Sequence, residues 1–385
     1  MSQTIIEKIF SAHSTDKVRP GNIIWLDLDV RSARDFGGAN VVQNLEQYYP
    51  NEEKFEDKEK TVFTFDCVVP ANNLGYAKNQ QICRLFAEKH GIKLYDSEWG
   101  IGSHVLMEEG YSLPGTTTVG TDSHLNIMGA VGAFGQGMGD QDIAFAWKAG
   151  KTWFEVPPTM KVIIEGNLPN HCSAKDLTLA VIQRLTSKGA LGRAIEFEGK
   201  AIDKLSLAGR ITLASMVTEM GGITGFIPPN DEVLAFCKQQ ARTEFTPYFA
   251  DEDAEYIEEV AIDISNLQPL IAKPFKPDNV VDVASLEKEN IKVHSSFLGS
   301  CTNGRYEDVK VAIDLLKGGE AAKQTVMKIV PATRKVLGEM IKNNDLEVLF
   351  DARTVVGNPG CAGCASGPVS YTHLRAHETV LDLVC

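Results

Sequence analysis

Three cysteines are spaced as if to converge on something. Cys301 lies in "FLGSCTNGRYED", directly after an apolar run, and Cys361 and Cys364 form a C-x-x-C pair in "GNPGCAGCASGP". Thiolates are soft ligands for zinc, copper(I) and iron–sulfur clusters. Structural zinc asks for four nitrogen or sulfur ligands, and no fourth cysteine or histidine has obvious spacing, His294 being the nearest. Three thiolates suit a cubane iron–sulfur cluster with one iron left open to a substrate. A third reading is a turn with two chance thiols and Cys301 packed as a small hydrophobe. Spacing alone leaves all three open. Gly360 and Gly363 would let the backbone curl close to a bulky ligand.

A second stretch, Gly100 to Asp142, offers His104 and then Asp122, Ser123 and His124 in a turn after "TTTVG". Histidines beside carboxylates are what proton transfer needs, since the carboxylate fixes the tautomer and basicity of the ring. The plainer reading of "DSH" is a helix cap made by Asp122 or Ser123. The glycines of "GAVGAFGQGMG" do not make a dinucleotide fingerprint, because the strand–G-x-G-x-x-G–helix frame and its distal acid are missing. Tight packing and a close loop explain them.

The elements that must position these residues alternate along the chain. "NIIWLDLDV" (22–30), "KTVFTFDCVV" (60–69), "TMKVIIEG" (159–166), "IKVHSSFLGS" (291–300) and "TVMKIV" (325–330) read as strands. Between them, "NLGYAKNQQICRLFAEKHG" reads as a helix with Leu74, Ala77, Ile82, Leu85 and Phe86 on one face and Gly91 as its stop. "SAKDLTLAVIQRL" opens with a capping-box pair, Ser173 and Asp176. "RYEDVKVAIDLLKGG" is a third helix, and "PATRKVLGEMIKNN" a fourth, opening at Pro331. Such alternation predicts an α/β protein with parallel-rich sheets in a three-layer α/β/α arrangement. Proline clusters near 157–159 and 267–279 place soft boundaries. They give subdomains at 1–158, 159–279 and 280–368, followed by a tail at 369–385.

With 385 residues, 43% hydrophobic and 23% charged, the chain has the composition of a soluble globular protein. A formal charge of −13 without clustered Lys and Arg argues against nucleic acid as a partner. No apolar run approaches the eighteen residues of a membrane span, and the N-terminus lacks a signal-peptide pattern. Eight scattered cysteines argue for a reducing compartment, so a cytoplasmic location is expected.

Taken together, these motifs resemble the aconitase superfamily. "LPGTTTVGTDSHLNIMGAVGAFGQGMGDQD", "SCTNGRYED" and "GCAGC" stand in the family's order and close to its spacing, and the likeness runs to about Gly367. It is strongest to the branch of isopropylmalate dehydratase large subunits and homoaconitases. The resemblance implies a hydro-lyase that removes and re-adds water on a hydroxy di- or tricarboxylate, such as 3-isopropylmalate in leucine biosynthesis. Homoaconitase- or aconitase-like hydration, or a non-catalytic binding protein on the same scaffold, are the alternatives. The resemblance further implies that Cys301, Cys361 and Cys364 hold a [4Fe–4S] cluster, and that His104 pairs with Asp122. It pairs His124 with Glu219 of "ASMVTEMGG", sets Ser123 between the two pairs, and makes Asp66 a site residue. It also implies a separate small swivel-domain subunit as partner.

Three departures stand out. The family's Asp-His is Asp66-Cys67 here, and a thiol with an ordinary pKa near 8.5 is a poor acid for a leaving hydroxyl. The family's asparagine four residues before the glutamate is Ser215. After "GCASGP" the segment "VSYTHLRAHETVLDLVC" matches nothing in the family, so His373, His377 and Cys385 carry no expected role. The family's carboxylate-binding segment and serine-bearing domain are not seen, so the chain is expected to be inactive without a partner.

Overall fold

The computed structural model describes residues 2–50, 57–289, 291–361 and 364. Its central feature is a five-stranded parallel sheet in the order Lys93–Tyr95, Thr61–Thr64, Val30–Arg34, Thr117–Gly120 and Phe134–Gly137. The chain starts in the middle strand, winds outward to one edge, then returns to the other side of Val30–Arg34. That reversal leaves a crevice at the carboxyl ends of Val30–Arg34 and Thr117–Gly120, where open α/β sheets bind ligands. Alternate residues serve opposite faces: Val30 and Val62 join one core, whereas Ala33 and Phe63 join another. Both faces are therefore covered, as parallel sheets require.

A second parallel sheet orders Thr224–Phe226, Ala194–Glu198, Thr159–Glu165 and Glu258–Asp263. A third orders Ser295–Leu298, Val326–Ile329 and Val355–Val356. The expected α/β class with parallel sheets is what the chain forms. The first two sheets share one core, in which Val62, Leu125 and Met128 pack with Met160, Val162 and Phe197. The third sheet has its own core around Val309, Ile313, Ile329 and Met340. No helix among the described residues is long and apolar enough to cross a membrane.

Three local expectations need correction. The run 22–30 is not one strand: Ile23–Asp27 pairs antiparallel with Lys151–Glu155, and Val30 starts the central parallel strand. Asp29 makes the break by accepting hydrogen bonds from Thr117 N (2.9 Å) and His13 Nε2 (2.8 Å). The helix Leu74–His90 buries Gln80, Cys83, Phe86 and Ala87, while Leu74 and Leu85 stay exposed. A polar residue displaces the expected face because Gln80 Nε2 donates to Asp35 Oδ2 (3.1 Å) and Val68 O (3.0 Å). The late helix begins at Arg334 with Thr333 as its cap, not at Pro331. Residues 330–332 stay outside the helix because Ala332 N bonds Gly304 O (2.8 Å) and Ala332 O accepts from Ile101 N (2.8 Å).

Candidate active site

Arg34 ends the central strand and is buried in the crevice. Its Nε donates to Asp66 Oδ1 (2.7 Å), its Nη1 to Asp122 Oδ1 (2.9 Å) and its Nη2 to Cys361 Sγ (2.6 Å). One guanidinium thus ties together the loops that follow three elements, using the fixed fork that suits carboxylates. Burial works against all these charges. It raises Asp66 to about 6 despite Arg34. Burial also pushes Asp122 upward, but the attraction of Arg34 and His124 outweighs it and holds Asp122 below the usual range.

Asp35 arranges the neighbouring loop. Its carboxylate accepts from the backbone N–H groups of Asp66 (3.1 Å), Cys67 (2.9 Å) and Val68 (3.1 Å). Cys67 is buried there, 3.4 Å from Asp66 Oδ1. Asp66 Oδ2 accepts from Gly102 N (2.6 Å) at the start of the helix Gly102–Glu108, which carries His104.

His104 is fully buried, and its Nε2 lies 2.9 Å from Cys301 O. A carbonyl only accepts, so Nε2 carries the proton and Nδ1 presents a lone pair. Nδ1 has no hydrogen-bond partner among the described residues. Burial first, and then the charge of Arg305, lower the His104 pKa to about 3, so the ring is neutral. Asp122 acts on it as a nearby charge, while the hydrogen bonds of Asp122 go to Arg34 and to His124 N (3.0 Å). Arg305 is itself bonded to Glu108.

Gly137 sits beneath the Asp122–Ser123–His124 turn, where a Cβ would meet Asp122 O and lie 3.0 Å from Ser123 Cα. This turn directs His124 Nε2 to Glu219 Oε1 (3.0 Å) and its Nδ1 to Ser123 Oγ (3.1 Å). Glu219 comes from the short turn Thr218–Met220, and its buried Oε2 has no partner among the described residues. The plainer capping reading does not hold: the helical turn Leu125–Val131 has His124 at its N-cap and no side-chain cap, and the Asp122 carboxylate instead accepts from His124 N within the turn before it.

Cys301 follows a strained corner. Gly299 has φ +154° with Val330 O 2.5 Å from where a Cβ would stand, and Ser300 is left-handed at φ +69°. The corner brings Cys301 into a small cluster with Ile101, Ala332 and Cys361. Cys361 N donates to Asp66 O (2.8 Å), which pins the C-x-x-C turn against the first sheet, and Cys364 N closes the turn onto Cys361 O (3.1 Å). Cys301 and Cys364 both lie within electrostatic reach of the Lys175 ammonium. Ser215 stands 3.4 Å from the Thr302 hydroxyl, beside Cys301.

The donor set bears on what could be bound. Among the described residues, only Asp35, Asp66 and Cys67 have three ligand atoms all within 4.8 Å of one another. Their oxygens are already committed to backbone N–H groups, Gln80 and Arg34. One zinc ion held by three thiolates would bring the sulfurs to roughly 4 Å, closer than Cys301, Cys361 and Cys364 stand as a set. A cubane cluster spreads its thiolates over separate irons. The three cysteines, the balancing Arg34 and the two unpartnered atoms His104 Nδ1 and Glu219 Oε2 fit such a group. Segment 369–385 and Gly363 lie outside the described residues.

Arg34, Asp35, Gln80, Arg305 and Lys175 were not legible as site residues. The one available signal was "RD" (34–35), a charged pair closing an otherwise strand-like run.

The chain matches the aconitase family (aconitate hydratase) over residues 7–373, a few residues into the segment expected to be unrelated. It is 41% identical over 368 residues to the 3-isopropylmalate dehydratase large subunit 1 of Methanopyrus kandleri, covering 95% of this chain and 87% of that one. It is 38% identical over 371 residues to the 3-isopropylmalate dehydratase large subunit of Nitratiruptor sp., with the same coverage. Among solved structures, Thermococcus kodakaraensis aconitase X superposes with a TM-score of 0.53 over 95% of this chain and 84% of that one. At 12% identity this likeness speaks to the fold. The chain belongs to the aconitase family.

Proposed function

We propose that this chain is the large subunit of a 3-isopropylmalate dehydratase, an iron–sulfur hydro-lyase interconverting a hydroxy dicarboxylate and its alkene by loss and gain of water. The observation that carries the reading is the crevice at the switch point. There Arg34 bonds Asp66, Asp122 and Cys361, and Asp122 in turn holds the backbone of His124, which pairs with Glu219, in a chain 35–41% identical to dehydratase large subunits. The family is one of iron–sulfur enzymes. Cys301, Cys361 and Cys364 would hold a [4Fe–4S] cluster, which when bound supplies a Lewis acid for the substrate hydroxyl and a carboxylate.

The remaining work falls to this chain's own groups. Cys301 O holds the His104 proton on Nε2, which leaves Nδ1 free to accept a hydrogen bond from the substrate hydroxyl. Glu219 orients His124 through Nε2, and the exposed Ser123 hydroxyl completes the other ring nitrogen, so the imidazole stays in one tautomer. Arg34 keeps Asp66 and Asp122 from repelling an incoming dianion at full strength. The base for the carbon-bound proton is assigned to a separate small subunit, in line with the large-subunit relatives. A biosynthetic role with reduced thiols fits a cytoplasmic location.

The test is anaerobic reconstitution followed by iron and sulfide analysis, with turnover of 3-isopropylmalate, homoaconitate and citrate measured with and without candidate small subunits. About four irons per chain, loss of cluster in Cys301→Ser, Cys361→Ser and Cys364→Ser, and preferential use of 3-isopropylmalate are expected. A colourless zinc protein would overturn the reading.

A further inference from the structure

We propose that Lys175 is a substrate-recognition residue whose ammonium binds one carboxylate of the dicarboxylate. The proposal rests on the hydroxy-dicarboxylate reading above. Two other cations beside the site residues are already committed. Arg34 is bonded to Asp66, Asp122 and Cys361, and Arg305 to Glu108. Lys175 Nζ donates to Met216 Sδ at 3.0 Å, and a thioether is a weak acceptor. Among the described residues no carboxylate oxygen stands within 4.0 Å of Nζ. The groups that act on it are, in order, Glu219, Cys364, Cys301 and Asp176. Met216, whose sulfur holds it, also accepts at its carbonyl from Glu219 N (3.2 Å), so the ammonium stands at the Glu219 turn.

Its position is also one that helix stability disfavours. Lys175 is the second residue of the helix Ala174–Leu185, where the backbone N–H groups make a positive end and a cation is repelled. Burial adds to the cost and lowers the lysine's pKa. A partly buried cation at a helix N-terminus, facing a site and without an ion-pair partner, is most simply stabilised by an anion that arrives with the ligand. The substrate must bring two carboxylates, and the cluster would engage one.

The experiment compares wild type, Lys175→Met and Lys175→Arg as cluster-loaded chains, with iron content as the check on loading. Binding of 3-isopropylmalate and of its two monomethyl esters is measured by calorimetry, and KM and kcat are measured with the small subunit present. The charge-assisted contact predicts that Lys175→Met binds the diacid about 10- to 100-fold more weakly. One monoester should bind wild type and Lys175→Met within about threefold, because it already lacks the contacted carboxylate. Lys175→Arg should recover most of the diacid affinity, and KM should rise with kcat little changed. Unchanged diacid affinity, an equal loss for the diacid and both esters, or a fall in kcat at constant KM would overturn the proposal; the last would make Lys175 a positioning residue for Glu219. A wild type that binds citrate or homoaconitate instead overturns the substrate reading alone, and monoesters of that acid then decide Lys175. A wild type that binds none of the three acids overturns both.

Discussion

At the residue scale, the site is organised by one arginine that repays its burial with three bonds. Two carboxylates and a thiol converge on Arg34, and each is itself nearly inaccessible. Removing one member of a buried charge network leaves the others uncompensated, which is far more costly than never having had the network. Arg34→Gln should therefore lower the unfolding free energy by about 3–5 kcal/mol, read as a reduced urea midpoint. The same variant should bind less iron on reconstitution, since Cys361 loses the donor at its sulfur. A midpoint equal to that of wild type would mean that the carboxylates find other partners, and that Arg34 is not the organiser. Cys67 illustrates the opposite limit. It is buried beside Asp66, and both the Cys361 sulfur and burial push its thiol well above the ordinary range.

At the element scale, turns are placed by what lies under them. Gly137, at the end of the strand Phe134–Gly137, leaves room for the Asp122–Ser123–His124 backbone, and an added methyl would meet main-chain atoms that cannot swing aside. Gly137→Ala should cost about 1–3 kcal/mol as an overpacking change and displace His124 from Glu219. Thermal unfolding and turnover together check this, because loss of activity with unchanged stability would point to a local effect only. The strand Ala194–Glu198 contributes a second testable contact away from the site. Glu196 accepts from Ile5 N (2.6 Å) at the start of the helix Ile5–Ala12 and from Tyr256 OH (2.7 Å). Burial raises this carboxyl to about 7, from an ordinary value of 4.5. The folded state thus holds the proton more tightly than the unfolded chain does. The associated stability is fully present below pH 4.5 and is lost as the pH rises to about 7. Between pH 4.5 and 8, wild type should lose roughly 2–3 kcal/mol relative to Glu196→Gln, measured by urea unfolding at each pH. Parallel pH profiles for the two proteins would sink this assignment.

At the scale of the molecule, the first two sheets are welded by a common core, while the third has its own. The third meets the rest through specific contacts, among them Ile101 N to Ala332 O, Arg305 to Glu108 and Cys361 N to Asp66 O. Segments with separate cores open separately. Amides of residues 295–356 should therefore exchange faster than those of the first two sheets, and the difference should shrink when the cluster is loaded. Uniform exchange, or no response to loading, would show one cooperative unit. The class of fold was legible in the sequence because β-branched and aromatic runs alternating with helical ones leave little besides a covered parallel sheet. The cysteines, the "DSH" turn and Glu219 were legible through motif and resemblance. The sequence by itself determined those local choices, since propensity, capping and glycine placement act over a few residues, as Ser173 with Asp176 shows. Only the tertiary structure decided that Arg34 and Cys361, 327 positions apart, share a bond, that Gln80 rather than Leu74 faces inward, and that Lys175 reaches the Met216 sulfur. These outcomes depend on which buried charges find partners across the crevice, a condition set by long-range packing that no local pattern encodes.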